Sequence, residues 1–212
     1  MGEAQPETRS GERRAARVPF VGLTGGMASG KSTALELLEA LGAATLSADA
    51  VVHELLGTDE VRDAVAGRLG DELVVDGRLD RAAVGRRVFG SDADREWLEE
   101  LLWPLVRERV AAWREQIGGS GDPAVAMVVE VPLLFESGQE AIYDATIAVV
   151  ADEAVRVQRA EGRGHEGLEG RTGRQLTQEE KSQRADFTVR NDGTREELQT
   201  HLSKVLATIG HG

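Results

Sequence analysis

The stretch FVGLTGGMASGKSTALELLEAL spans Phe20 to Leu41 and decides the fold. Phe20, Val21 and Leu23 form a short apolar run that suits a buried strand. Gly25-x4-Gly30-Lys31-Ser32 then fits the phosphate-loop pattern G-x-x-x-x-G-K-[ST]. From Lys31 onward the apolar spacing becomes helical, with Ala34, Leu35, Leu37, Leu38 and Leu41. Glycines let such a loop curl its N–H groups around phosphate oxygens, and the helix behind it aims its positive end at the same point. In this setting Lys31 neutralises phosphate charge and Ser32 is the candidate Mg²⁺ ligand. The plain alternative is a glycine-rich turn capped by Ser32. The strand before the loop and the helix after it favour the phosphate loop.

The rest of the chain sets bounds. Its 212 residues allow one α/β domain, with room for an inserted subdomain. There is no cysteine, so disulfides and thiolate metal sites are excluded. A formal charge of −12 argues against a general nucleic-acid or anionic-membrane surface. An anionic substrate must therefore be met by local arginines. No stretch approaches the roughly 18 apolar residues of a membrane span, and the cytosol is the expected location. Residues 1–17 are polar and aperiodic, and are expected to be a disordered tail. Residues 18–212 are expected to form a single domain.

Downstream, Ala43–Leu46 reads as a second strand, followed by Ser47-Ala48-Asp49 and a helical pattern of Val51, Val52, Leu55 and Leu56. Asp49 thus falls at a strand's carboxyl end, where ligands gather in open parallel sheets. It is either a functional carboxylate or an acid that favours a helix start. Residues 58–117 carry helical stripes and no strand signal. Asp80–Phe89 predicts one short helix there, and Pro104 the start of another. The block is too long for a simple crossover and predicts an inserted helical subdomain. Strands follow in AVAMVVEVPLLF, in ATIAVV and at Phe187–Val189, so five strands alternate with helices in an open parallel sheet. Glu130 lies near the end of the first of these, as a carboxylate for Mg²⁺ or a plain strand-end acid. Residues 159–177 hold Gly162, Gly164, Gly167, Gly170 and Gly173 among Arg159, Arg163, Arg171 and Arg174. They read as a lid that clamps a transferring phosphoryl group, or as a solvated loop. An amphipathic helix through Leu198, Leu202 and Leu206 ends the chain.

Five segments together resemble the dephospho-coenzyme A kinase family: GLTGGMASGKST, Ala48-Asp49, LDRAAVGRRVF with LEELLWPLV, VVEVPLLFESG, and RQLTQEEKSQRADFTVRNDG. The resemblance covers about Val21 to Leu206. It implies a P-loop nucleotide-kinase fold, and ATP-dependent phosphorylation of the ribose 3′-hydroxyl of dephospho-coenzyme A. ATP, Mg²⁺ and dephospho-coenzyme A are then the expected partners, with the chain a monomer or weak homo-oligomer. By position, Asp49 matches the acid at the 3′-hydroxyl. Gly25, Gly26, Ala28, Ser29, Gly30, Lys31, Ser32 and Thr33 match the phosphate contacts. Arg81 matches a basic position of the acceptor domain. Arg159 and Arg163 match the lid, and Asn191 and Gly193 the turn beside adenine. Three residues depart from the family pattern: Trp103 for a His before Pro104, Glu130 for an Asp, and Ser47 for the first Asp of D-A-D. Two other readings fit the phosphate loop, a kinase for another nucleoside or nucleotide and a non-enzymatic nucleotide switch. The N-K-x-D guanine signature common in such switches is absent.

Overall fold

The computed structural model describes residues 17–120, 124–161 and 175–210. Its centre is a five-stranded sheet in the order β2-β5-β1-β6-β7. These strands are β1 (Phe20–Gly25), β2 (Ala44–Ser47), β5 (Met127–Glu130), β6 (Ala145–Val150) and β7 (Phe187–Arg190), all paired in parallel. β1, β5 and β6 are buried along their whole length, which is why their sequences are unbroken apolar runs. β7, on the edge, buries only Val189 fully. The order reverses at β1, with β5 on one side and β6 on the other. A crevice is thereby placed beyond the carboxyl ends of these strands.

Alternate strand residues feed two cores. Val21, Leu23, Val128, Ile147 and Val149 pack against α1 (Lys31–Ala40) and α8 (Arg195–Ile209). Phe20, Met127 and Val129 face the other way. They share one core with Val51 and Leu55 of α2 (Ala48–Leu55), Val61 and Val65 of α3 (Asp59–Leu69), and Leu102 and Val106 of α5 (Asp92–Gly119). The helical block expected over residues 58–117 is thus built onto the sheet through a continuous apolar core.

Two details of that block differ from the sequence expectation. Val74–Val75 (β3) and Arg78–Leu79 (β4) form a small antiparallel hairpin. Asp76 and Gly77 make its turn with φ of 50° and 76°. Both positive angles suit an Asp-Gly two-residue turn. Pro104 does not begin a helix but lies inside the 28-residue α5, after α4 (Arg81–Phe89). Its ring nitrogen has no proton for the carbonyl one turn back, so the ladder lacks a bond there.

Candidate active site

The loop between β1 and α1 is shaped by its glycines and by its neighbours. Gly30 has φ 97°, and a Cβ there would stand 2.0 Å from Asn191 Nδ2. The same Nδ2 donates to the Ser29 carbonyl at 2.8 Å, and Asn191 is buried. A Cβ on Gly26 would meet Gln178 at 2.8 Å. Ala28 takes φ 58°, so the loop turns through a left-handed residue that is not glycine. Arg156, from α6 (Glu153–Glu161), donates through Nε to the Met27 carbonyl at 2.9 Å.

The helix after this loop is left open. Ser47, Thr58, Asp80, Ser91, Thr177 and Thr194 cap their helices with side-chain oxygens. Gly30 gives α1 no such cap, and no acid lies in its first turn. Its amides and its positive end stay available to an anion. Two buried donors at the loop, Ser29 Oγ and Arg159 Nη1, have no hydrogen-bond partner among the described residues either.

Lys31 reaches back to the Gly26 carbonyl at 3.1 Å. Burial pushes its ammonium below the usual lysine value, and Lys181 and Arg156 push the same way, while Glu130 and Asp49 oppose them. Glu130 ends β5, buried, directly across the sheet from Ser47, whose hydroxyl donates to its Oε2 at 2.9 Å. Asp49 follows in the first turn of α2, exposed to solvent. The crevice therefore presents a cation flanked by two carboxylates, set against open amides.

The sequence model for dephospho-CoA kinase matches residues 19–197. The chain belongs to the dephospho-CoA kinase family. Members of this family are transferases that catalyse the last step of coenzyme A biosynthesis. The dephospho-CoA kinase of Anaeromyxobacter dehalogenans is 37% identical over 198 residues, which cover 91% of this chain and 92% of the relative. That of Latilactobacillus sakei is 32% identical over 196 residues, 91% of this chain and 96% of the relative. Among solved structures, a Thermus thermophilus protein matches with a TM-score of 0.74 at 34% identity, over 90% of this chain and 98% of its own. The dephospho-CoA kinase of Campylobacter jejuni matches at 0.63 and 25% identity, over 93% and 100%.

Within this dephospho-CoA kinase fold, Gly25, Gly26, Ala28, Ser29, Gly30, Lys31, Ser32 and Thr33 come together in the loop and first helical turn. Asn191 reaches the same loop, though its amide braces Ser29. Gly193 is held by packing, since a Cβ there would lie 1.7 Å from Glu197 Oε2 in the capping box of α8. Arg159 stands at the loop. Arg163 and the rest of the glycine-rich stretch at 162–174 lie outside the described residues, as do residues 1–16 of the expected tail. Arg17, the last of that stretch, ion-pairs with Asp144 at 2.7 Å. Arg81 is exposed at the start of α4, with no ion pair to a described residue. Trp103 lines a groove of about 950 Å³ between α5 and the sheet, which also touches Ala48, Arg107, Arg114, Val131 and Tyr143.

Sequence reasoning missed Arg156 and Lys181 as parts of the site. Arg156 lies on α6, which carries both acidic and basic residues, and nothing in its spacing marks one arginine as reaching the loop. Lys181 lies in QEEKSQR of α7 (Gln178–Arg184), where nothing in the composition marks it as buried.

Proposed function

We propose that this chain transfers the terminal phosphoryl group of ATP to the ribose 3′-hydroxyl of dephospho-coenzyme A. The observation that carries the reading is the set of unsatisfied donors at the loop that leads into Lys31: uncapped α1, Ser29 Oγ, and Arg159 Nη1, which lies 3.8 Å from where a Cβ on Gly30 would stand. Donors left unpaired at one point fit a polyanion, because its oxygens satisfy them together. Lys31 and the loop amides hold the β- and γ-phosphates. Asn191 and Arg156 keep the loop in its binding shape through the Ser29 and Met27 carbonyls.

Among the described residues no three His, Asp or Glu side chains cluster as a ready metal cage. That suits Mg²⁺, which favours phosphate oxygens and water with only one or two protein ligands. The exposed Ser32 hydroxyl would be such a ligand, and Glu130 would be a carboxylate for its water shell. When held there, Mg²⁺ would supply charge neutralisation at the transferring phosphoryl group. Asp49 orients the 3′-hydroxyl and accepts its proton, and Arg159 and Arg163 spread the developing charge. Most of the acceleration in such a reaction comes from positioning and electrostatics. The acceptor lies against the helical block. The groove under α5, which starts beside Ala48 and Val131, takes its longer part.

The test is direct. Incubation with Mg-ATP and dephospho-coenzyme A should yield coenzyme A by mass, with one ADP formed per product. ADP release with every acceptor ignored would refute the reading in favour of a nucleotide switch.

A further inference from the structure

We propose that Lys181 is a positioning residue for phosphoryl transfer, holding the acidic edge of the site in register with Lys31. Lys181 is fully buried, at 0% exposure, and lies on the seven-residue helix α7. A lysine is rarely buried to that degree without a partner. Its ammonium donates to the Pro132 carbonyl at 2.5 Å and pairs with Glu136 Oε1 at 2.9 Å. Thr24 Oγ1, from the strand that leads into the phosphate loop, donates to the same Pro132 carbonyl at 3.2 Å.

The consequence runs along the backbone. Val131 N donates to the Leu23 carbonyl at 2.8 Å. The two residues after Glu130 are therefore fixed at both ends, at Val131 N by β1 and at Pro132 O by Lys181 and Thr24. Glu130 is thus anchored immediately next to a clamped segment. Its Oε2 accepts from Ser47 Oγ, and Ser47 Oγ accepts from Ala50 N at 3.4 Å at the start of the helix that carries Asp49. Lys181 and Asp49 are joined by a continuous chain of contacts: Lys181, Pro132, Glu130, Ser47, then the first turn of α2. Glu136 completes the anchor at the other end by accepting from Leu176 N at 2.9 Å.

The pair is not fully satisfied among the described residues, because Glu136 Oε2 is buried with no partner there. A buried pair of this kind can be replaced by apolar side chains with little loss of stability, whereas removing one partner strands the other charge. This difference separates positioning from plain stabilisation. Lys181→Met alone should melt well below the native protein. Lys181→Met with Glu136→Met should recover most of the melting temperature. Positioning then shows as a residual fall in kcat of about 10- to 100-fold in the double variant, the cost of displacing reacting groups by around an ångström. The KM for ATP should change little, since the phosphate loop keeps its own braces.

The kinetic test rests on the proposed transfer reaction, so the native protein is assayed alongside. A native protein that makes no coenzyme A refutes that reading. A second readout needs no acceptor. Hydrogen exchange in the native protein and the double variant should show faster exchange at Val131 and Ala50, with α8 unchanged. A double variant with restored stability and native kcat overturns the proposal, and so does unchanged exchange at both amides.

Discussion

Gly30→Ala tests the construction of the site more sharply than removal of any charged group. The added methyl would lie 2.0 Å from Asn191 Nδ2, well inside contact distance, on a backbone at φ 97°. The backbone strain for a residue with a side chain is about 1–3 kcal/mol. Asn191 must also move, and its bond to the Ser29 carbonyl at 2.8 Å is lost. A buried amide left without that partner costs about 1–3 kcal/mol. Together these take roughly 2–6 kcal/mol from a fold whose total stability is about 5–15 kcal/mol. For a chain of this length that is a fall in Tm of about 4–24 °C. Asn191→Ala loses the bond but also removes the obstructing nitrogen, so the two substitutions together should cost less than the sum of each alone. The coupling should reach about 1 kcal/mol or more. Thermal and urea unfolding of the four proteins measures it, and calorimetry with an unreactive ATP analogue shows whether binding weakens in parallel. Strict additivity, or a Gly30→Ala protein that melts like the native one, would show that Asn191 does not brace the loop.

Asp49→Asn keeps the shape at the start of α2, whose cap is Ser47, so Tm should hold while kcat falls about 10²- to 10⁴-fold with ATP affinity little changed. Lost stability with normal kcat would instead mark Asp49 as a helix-start acid. Arg156→Met removes the donor to the Met27 carbonyl. Its weaker loop should bind the ATP analogue about 10-fold less tightly, which calorimetry measures, and unchanged affinity would refute the bracing role. Tyr143, the sole tyrosine, has its phenol pushed by burial from 10.0 up to about 12, stacked on Phe20 at 4.7 Å. The stabilisation of its neutral form is complete below pH 10 and is lost as pH rises through about 12, because the unfolded chain gives up the proton first. Absorbance titration should find no phenolate near pH 10, and an ordinary midpoint there would contradict the packing.

The fold was legible wherever one residue pattern has one physical solution. Phe20–Leu23 and Ala145–Val150 are apolar on both faces, which an inner parallel strand tolerates and an edge strand does not. The phosphate loop was legible because glycine, lysine and serine are each required at fixed spacing. The hairpin at Val74–Leu79 escaped because two-residue strands are too short to show a period, although Asp76-Gly77 is a strong turn signal. Pro104 misled because proline is favoured at a helix start, while tertiary packing of Leu102 and Val106 carries α5 through it. Lys181 was illegible for a different reason. Its burial depends on a carbonyl at Pro132, far away in sequence, that no local pattern reveals.

The same long-range geometry bears on Ser47 and Glu130, two positions where the family resemblance implies Asp. Ser47 and Glu130 looked independent in the sequence, but they face each other on neighbouring strands and share a hydrogen bond of 2.9 Å. Two short carboxylates at these positions would repel each other unless a cation held them. Serine removes one charge and supplies a donor in its place. Glutamate keeps the other charge and adds a methylene that brings its oxygen to that donor. The carboxylate beside Lys31 is thereby retained, and the serine oxygen still caps the helix that bears Asp49. The two changes therefore act together: one carboxylate is lost at Ser47, and the one that remains at Glu130 is re-anchored across the strand pair beside Lys31 and Asp49.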